Sequence, residues 1–128
     1  MRARAILATA GVLLALGTVF GAVGVHALRP RLSPDELSIY STAVEYHFYN
    51  ALGLLGIGAV ARTLESPLLR WAAGLVLVGV LLFCGSLYAL TFGAPRALGM
   101  VPPFGGVALI AGWILFAVSL WRGRERLG

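Results

Sequence analysis

Apolar residues gather into four stretches along the chain, at about 5–28, 34–61, 67–92 and 102–121, and charged side chains fall mostly in the gaps and at the ends. The first stretch contains no Asp, Glu, Lys or Arg. As a helix rising about 1.5 Å per residue it reaches roughly 36 Å, enough to cross a ~30 Å hydrocarbon core with some tilt. The pattern predicts an all-α membrane protein: an antiparallel bundle of four transmembrane helices forming one domain over residues 1–128. Composition points the same way, because 59% of the residues are hydrophobic and 12% charged. A soluble domain of this size would leave large apolar patches facing water.

Helix starts and stops are written in local chemistry. Ser33-Pro34-Asp35-Glu36 has the form of a capping box with proline at the first helical position. The turns that follow carry Ser38, Tyr40, Ser41 and Thr42, so the second segment is expected to enter the membrane only from about residue 43. Ser66-Pro67 announces a second capped start, and Gly93, Pro95 and Gly99 break the chain before Pro102-Pro103 open the last segment. Proline is tolerated there because first-turn amides have no intrahelical acceptor. Trp71 and Trp121 are expected as interfacial anchors. The basic start followed by Val25-His26-Ala27 loosely resembles a signal-peptide cleavage site. The apolar run exceeds the ~7–15 residues of a signal core, so it reads as a retained helix.

Charge then orients the bundle. All ten basic side chains are arginine, and the net charge is +5. With both termini on one side, that side holds Arg2, Arg4, Arg62, Arg70, Arg122, Arg124 and Arg126, and the other holds Arg29, Arg31 and Arg96. The excess of arginine places both termini in the cytoplasm of a bacterial inner membrane. Scattered beside apolar segments, these arginines are topogenic and not a nucleic-acid surface. Cys84 is the only cysteine, so no internal disulfide or thiolate cluster can form, and it is expected to be a small buried hydrophobe.

Ionisable and amide groups at membrane depth are the candidate chemistry. His26 ends the first segment, and Glu45, His47 and Asn50 sit early in the second, so all four are expected near the outer interface. At about 100° per residue His47 and Asn50 share a face, while Glu45 points about 160° away from His47. A compact His-Glu-His metal site is therefore strained. The structural reading has these groups hydrogen-bonding loop backbone, Arg29 or Arg31. Gly17, Gly21 and Gly24 form a smooth face for close helix contact. Gly85, Ser86 and Tyr88 in the third segment, and Gly105, Gly106 and Gly112 in the fourth, are further candidate packing positions, with Ser86 and Tyr88 expected to hydrogen-bond between helices. Gly105-Gly106 follows prolines, not a strand, so a phosphate loop is not indicated.

Several of these patterns together resemble the DUF423 family of small membrane proteins, also called UPF0382, which includes a eukaryotic transmembrane relative. The resemblance rests on Gly21-Ala22-Val23-Gly24-Val25-His26-Ala27-Leu28, on Thr42-Ala43-Val44-Glu45-Tyr46 with Ala51-Leu52, on Phe83-Cys84-Gly85-Ser86-Leu87-Tyr88, and on Pro103-Phe104-Gly105-Gly106 with Gly112-Trp113. Asn50 stands where members commonly carry histidine, and Pro102 where they carry threonine. The resemblance implies a four-helix integral membrane protein and no particular activity. The leading functional expectation is a non-enzymatic structural or accessory protein, acting by helix packing with itself, with lipid or with a larger membrane complex. No catalytic residue, metal, cofactor or nucleic-acid partner is expected. The alternative is a small oligomeric transporter or channel for protons, cations or small solutes that uses Glu45 and the histidines. A third reading is a metal- or haem-binding membrane subunit with His26 and His47 as ligands.

Overall fold

The computed structural model describes the backbone of residues 1–127 and the side chains of residues 1–123. Arg124 and Arg126, which carry part of the arginine bias, and Glu125 and Leu127 have side chains outside that range, and Gly128 lies wholly outside it. The described residues form four long helices and no strand: α1 (Ala3–Val23), α2 (Pro34–Ala61), α3 (Pro67–Thr91) and α4 (Val101–Leu127). One turn of π-helix, Gly24–Leu28, extends α1, and a 3₁₀ turn, Arg96–Met100, leads into α4. The fourth helix thus continues past Trp121, where the hydrophobic pattern alone would end it.

Neighbours in sequence are neighbours in space, and each pair runs antiparallel. Gly58 of α2 lies against Ile6 and Leu7 of α1, Gly17 lies against His47 and Phe48, and Gly24 lies against Tyr40. Residue numbers therefore rise along α1 as they fall along α2. The same reversal links α2 to α3, where Tyr40 meets Phe92 and Tyr46 meets Phe83. It also links α3 to α4, where Gly79 meets Leu109 and Gly112 meets Val76. The seam between α3 and α4 is the tightest. Gly105 and Gly112 present bare backbone to the Phe83 and Ala72 backbone, a contact that van der Waals packing between helices rewards only when side chains are absent. The core is a spine of Ile6, Ala10, Ala43, Leu54, Ile57, Ala73 and Val76, all inaccessible to solvent.

Three helical stretches are long and apolar enough to cross a membrane by length and composition: Ala3–Leu28, Pro67–Thr91 and Arg96–Gly123. The second helix falls short of that measure because its polar residues lower its mean hydropathy.

Helix ends show where local chemistry succeeds and where it does not. Ser33 Oγ accepts from the Glu36 amide at 3.2 Å while Glu36 Oε1 accepts from the Ser33 amide at 3.0 Å, completing the capping box. Ser66 occupies the corresponding place before α3, but its side chain makes no capping hydrogen bond. This corrects the expectation of a second side-chain cap: the extended backbone and Pro67 start α3 without one. After α3, Gly93 adopts φ 94°, the left-handed conformation that costs glycine nothing. The Gly93 amide then reaches the Leu90 carbonyl and the Ala94 amide the Ala89 carbonyl, the paired bonds of a Schellman stop.

The capping box carries a pH prediction. The hydrogen bonds from Ser33 hold the Glu36 carboxyl below its ordinary value of 4.5. A depressed folded-state pKa contributes stability above the unfolded value and loses it as pH falls through the folded one. The first turn of α2 is therefore expected to fray progressively as pH falls below 4.5. Amide exchange at Ser33 and Glu36 checks this: protection should drop on acidification there and stay unchanged at the start of α3.

Candidate functional site

His47 anchors the polar centre of the bundle. It is buried on the inner face of α2, one side of a helix whose opposite side carries exposed Glu45 and Tyr49. Its Nε2 lies 2.7 Å from the Leu13 carbonyl oxygen of α1 and its Nδ1 lies 2.9 Å from the Tyr88 hydroxyl of α3. A carbonyl can only accept, so Nε2 carries the proton, and Nδ1 of the neutral ring accepts from Tyr88. One imidazole thus ties three helices together. Gly17 eases this approach. A Cβ at that position would stand 3.3 Å from His47 Cδ2 and 3.2 Å from Phe48 Cζ, so a larger residue would push both rings by a few tenths of an ångström.

Aromatic rings close the site above His47. Phe20 stacks on Tyr88 with centroids 4.2 Å apart and planes 12° from parallel. Tyr40, seven residues before His47 and on the same face of α2, lies 5.5 Å from the Tyr88 ring. The Tyr40 hydroxyl donates to the Phe20 carbonyl in a short hydrogen bond. Gly24 leaves room for the Tyr40 ring, since a Cβ there would stand 2.6 Å from its Cε1. The π turn begins at this residue, with the Arg29 amide bonded to the Gly24 carbonyl five residues back.

A second polar link joins α2 to α4. The Trp113 indole N–H donates to Asn50 Oδ1 at 2.9 Å, and Asn50 Nδ2 donates to the Tyr46 carbonyl at 2.9 Å. Gly53, one turn along from Asn50, makes the space into which the Trp113 ring fits. This pair lies on the wall of an outward-opening groove of about 710 Å³ between α2 and α4. Asn50→Leu is expected to cost about 1 kcal/mol, since interhelical hydrogen bonds in bundles of this kind average ~0.6 kcal/mol and the indole N–H is left unpaired. Thermal melting in detergent measures it. A double-mutant cycle with Trp113→Phe should show coupling of roughly 0.6 kcal/mol.

The candidate residues therefore do not form one cluster. His47 and Asn50 are buried, whereas His26 and Glu45 are exposed. His47 lies level with Leu13 and Gly17 on α1, nine or more residues from His26, roughly 14 Å along the axis. This corrects the expectation that all four share the outer interface: antiparallel pairing puts residue 40, not 47, beside the end of α1. It also corrects the expected hydrogen-bonding to loop backbone, because the partners of His47 belong to helices, Leu13 in the middle of α1 and Tyr88 in the last turn of α3. Glu45 and Arg29 instead line a cleft of about 290 Å³ with Gly21 and Tyr40. Among the described residues, no three His, Cys, Asp or Glu side chains gather where a metal ion could be held.

The small and polar packing candidates divide in the same way. Gly17, Gly24, Gly105 and Gly112 meet a neighbouring helix, Gly21 has ordinary contact with Val44 at 3.8 Å, and Gly85 and Gly106 meet nothing within 4 Å. Ser86 donates to the Phe83 carbonyl of its own helix at 3.0 Å. Its expected bond between helices is not formed, because a serine hydroxyl inside a helix reaches the preceding turn first. Tyr88 does reach across, to His47. Cys84 is buried, and burial in apolar surroundings leaves its thiol a small hydrophobe. Phe20, Tyr40 and the Leu13 carbonyl were not evident as site components from the sequence. The seven-residue spacing of Tyr40 and His47 and the three-residue spacing of Asn50 and Gly53 were usable signals; a backbone acceptor has no such signature.

Residues 20–106 match the family model described as a protein of unknown function, DUF423. The chain belongs to this family. Curated DUF423 relatives are named UPF0382 membrane proteins. One from Staphylococcus haemolyticus is 39% identical over 110 residues, covering 86% of this chain and 88% of its own length. One from Staphylococcus saprophyticus is 36% identical over 122 residues, covering 95% and 99%, and one from Bacillus subtilis is 38% identical over 120 residues, covering 93% and 96%. No solved structure matches the chain. The DUF423 match takes in Phe20, Tyr40, His47, Asn50 and Tyr88, while their partners Leu13 and Trp113 lie outside it.

Proposed function

We propose that the protein is a non-enzymatic integral membrane protein with four transmembrane helices and both termini in the cytoplasm of a bacterial inner membrane, acting through packing with its own copies, with lipid or with a larger membrane complex. One observation carries the reading. Among the described residues, every buried side-chain nitrogen and oxygen has a hydrogen-bond partner. His47 uses both ring nitrogens and Asn50 its oxygen to hold helices together, while the Asn50 nitrogen is satisfied by the Tyr46 carbonyl of its own helix. Polar groups at membrane depth are thereby committed to structure, as interhelical bonding requires where water is absent.

Packing supports a fourth span. The second helix pairs antiparallel with α1 from Tyr40 to Gly58 and with α3 on its other side. A helix held between two spanning neighbours crosses the same slab, and its costly residues His47 and Asn50 face inward. Trp71 and Trp121, both strongly exposed at the end of the bundle that carries most arginines, suit an interfacial belt.

Cysteine accessibility mapping in a Cys84→Ala background tests the topology: a cysteine at residue 63, exposed in the turn after α2, should label from the cytoplasm and one at residue 97 only from outside. Purification from native membranes, with mass spectrometry for protein, lipid and metal, tests the function. A self-assembly or a stoichiometric membrane partner supports the proposal. Stoichiometric metal or haem overturns it, as does pH-dependent solute flux into proteoliposomes that His47→Gln abolishes while the protein stays folded.

A further inference from the structure

We infer that the arginine-lined cleft where α1 begins, α2 ends and α3 begins binds the phosphate group of an anionic phospholipid. The cleft has a volume of about 580 Å³. Arg2 and Arg4 come from the start of α1, Arg62 from the end of α2, and Arg70 from the first turn of α3. Among the described residues, Glu65 is the one acidic side chain on its lining, so four arginines line the cleft beside one carboxylate.

Topology requires only a number of arginines near the ends of the spans. It does not require that arginines from three separate segments share one cavity, nor that the cavity have an apolar floor. This one does: Leu64 and Leu69 line it and are 2% and 1% exposed. Cationic walls over buried leucine suit an amphiphile whose charged head lies beside its acyl chains. All four bases are arginine, whose planar fork grips phosphate oxygens in pairs where lysine offers a point charge. The start of α3 opens into the same cleft through Ser66, whose side chain does not cap the helix. Among the described residues, the first-turn amides thus have no side-chain acceptor, and anions are favoured at such an end. The arrangement matches the basic pockets between helices that hold lipid headgroups on the cytoplasmic side of membranes.

The inference rests on the proposed topology for placing the cleft at the inner leaflet, so binding is best measured in detergent, where orientation plays no part. Native mass spectrometry of the full chain should compare phosphatidylglycerol with phosphatidylcholine. Phosphatidylglycerol is expected to be retained about tenfold better, and R62Q/R70Q to reduce that preference to less than about twofold. Both arginines are exposed, so the variant should melt like the native protein. R29Q/R31Q, which removes two arginines at the opposite end, should keep the preference. Equal retention of the two lipids, or equal loss in R29Q/R31Q, overturns the inference. So does binding of inorganic phosphate that depends on Arg62 and Arg70 without any lipid preference, which would make the cleft a soluble-anion site. Cysteine mapping of the native chain separately decides the topology.

Discussion

Gly105→Ala is expected to destabilise the detergent-solubilised protein by about 1–3 kcal/mol or more, the range for overpacking a close-packed contact. A Cβ at this position would run into the Phe83 backbone nitrogen and stand 2.8 Å from Phe83 Cα. Backbone atoms cannot rotate away as a side chain can. Relief requires α4 to back off from α3 along a seam where Gly79 and Gly112 also depend on close approach. Gly106→Ala is the matched control, since a Cβ there meets nothing within 4 Å. It should be neutral or gain up to about 1 kcal/mol, because alanine loses less backbone entropy than glycine on entering a helix. Thermal melting of both variants checks the contrast, and identical curves would mean that α3 and α4 stand further apart than described.

His47→Leu is expected to cost about 1–3 kcal/mol, mainly because the Tyr88 hydroxyl is left buried without its acceptor. Two hydrogen bonds disappear, but at ~0.6 kcal/mol each they are the smaller part. The Leu13 carbonyl keeps its place in the hydrogen-bond ladder of α1. His47→Gln should recover much of the loss, since an amide can donate to Leu13 and accept from Tyr88. The double variant His47→Leu/Tyr88→Phe should be less destabilised than the sum of the single changes, because no orphaned hydroxyl remains. Strict additivity in melting experiments would show that the two side chains do not interact.

Much of the helical framework was legible in the chain because its signals are local. Ser33, Pro34 and Glu36 determine the start of α2 within one turn, and Gly93 stops α3 because the left-handed conformation it adopts is rarely open to other residues. The candidate site was legible only in its membership. Helical periodicity puts His47 and Asn50 on one face and Glu45 on the other, and burial follows that division. The depth of His47 is not legible in the same way, because a place early in an apolar segment does not by itself mean a place at the interface. The polar first turns of α2 lie beside the end of α1, which shifts His47 toward the middle of the bundle.

By itself, the sequence determined the all-helical class, the positions of the helices, the direction of the arginine bias and the family, since each depends on composition, period or short motifs. Only the tertiary structure decided which partners the polar groups take. It separated His26 and Glu45 from His47, gave His47 a backbone carbonyl and a tyrosine hydroxyl from two other helices, and paired Asn50 with a tryptophan 63 positions away. It also distinguished the glycines that a neighbouring helix requires from those that face open space. These outcomes depend on helix register and rotation, which are set by contacts among residues far apart in the chain, and no local pattern encodes them.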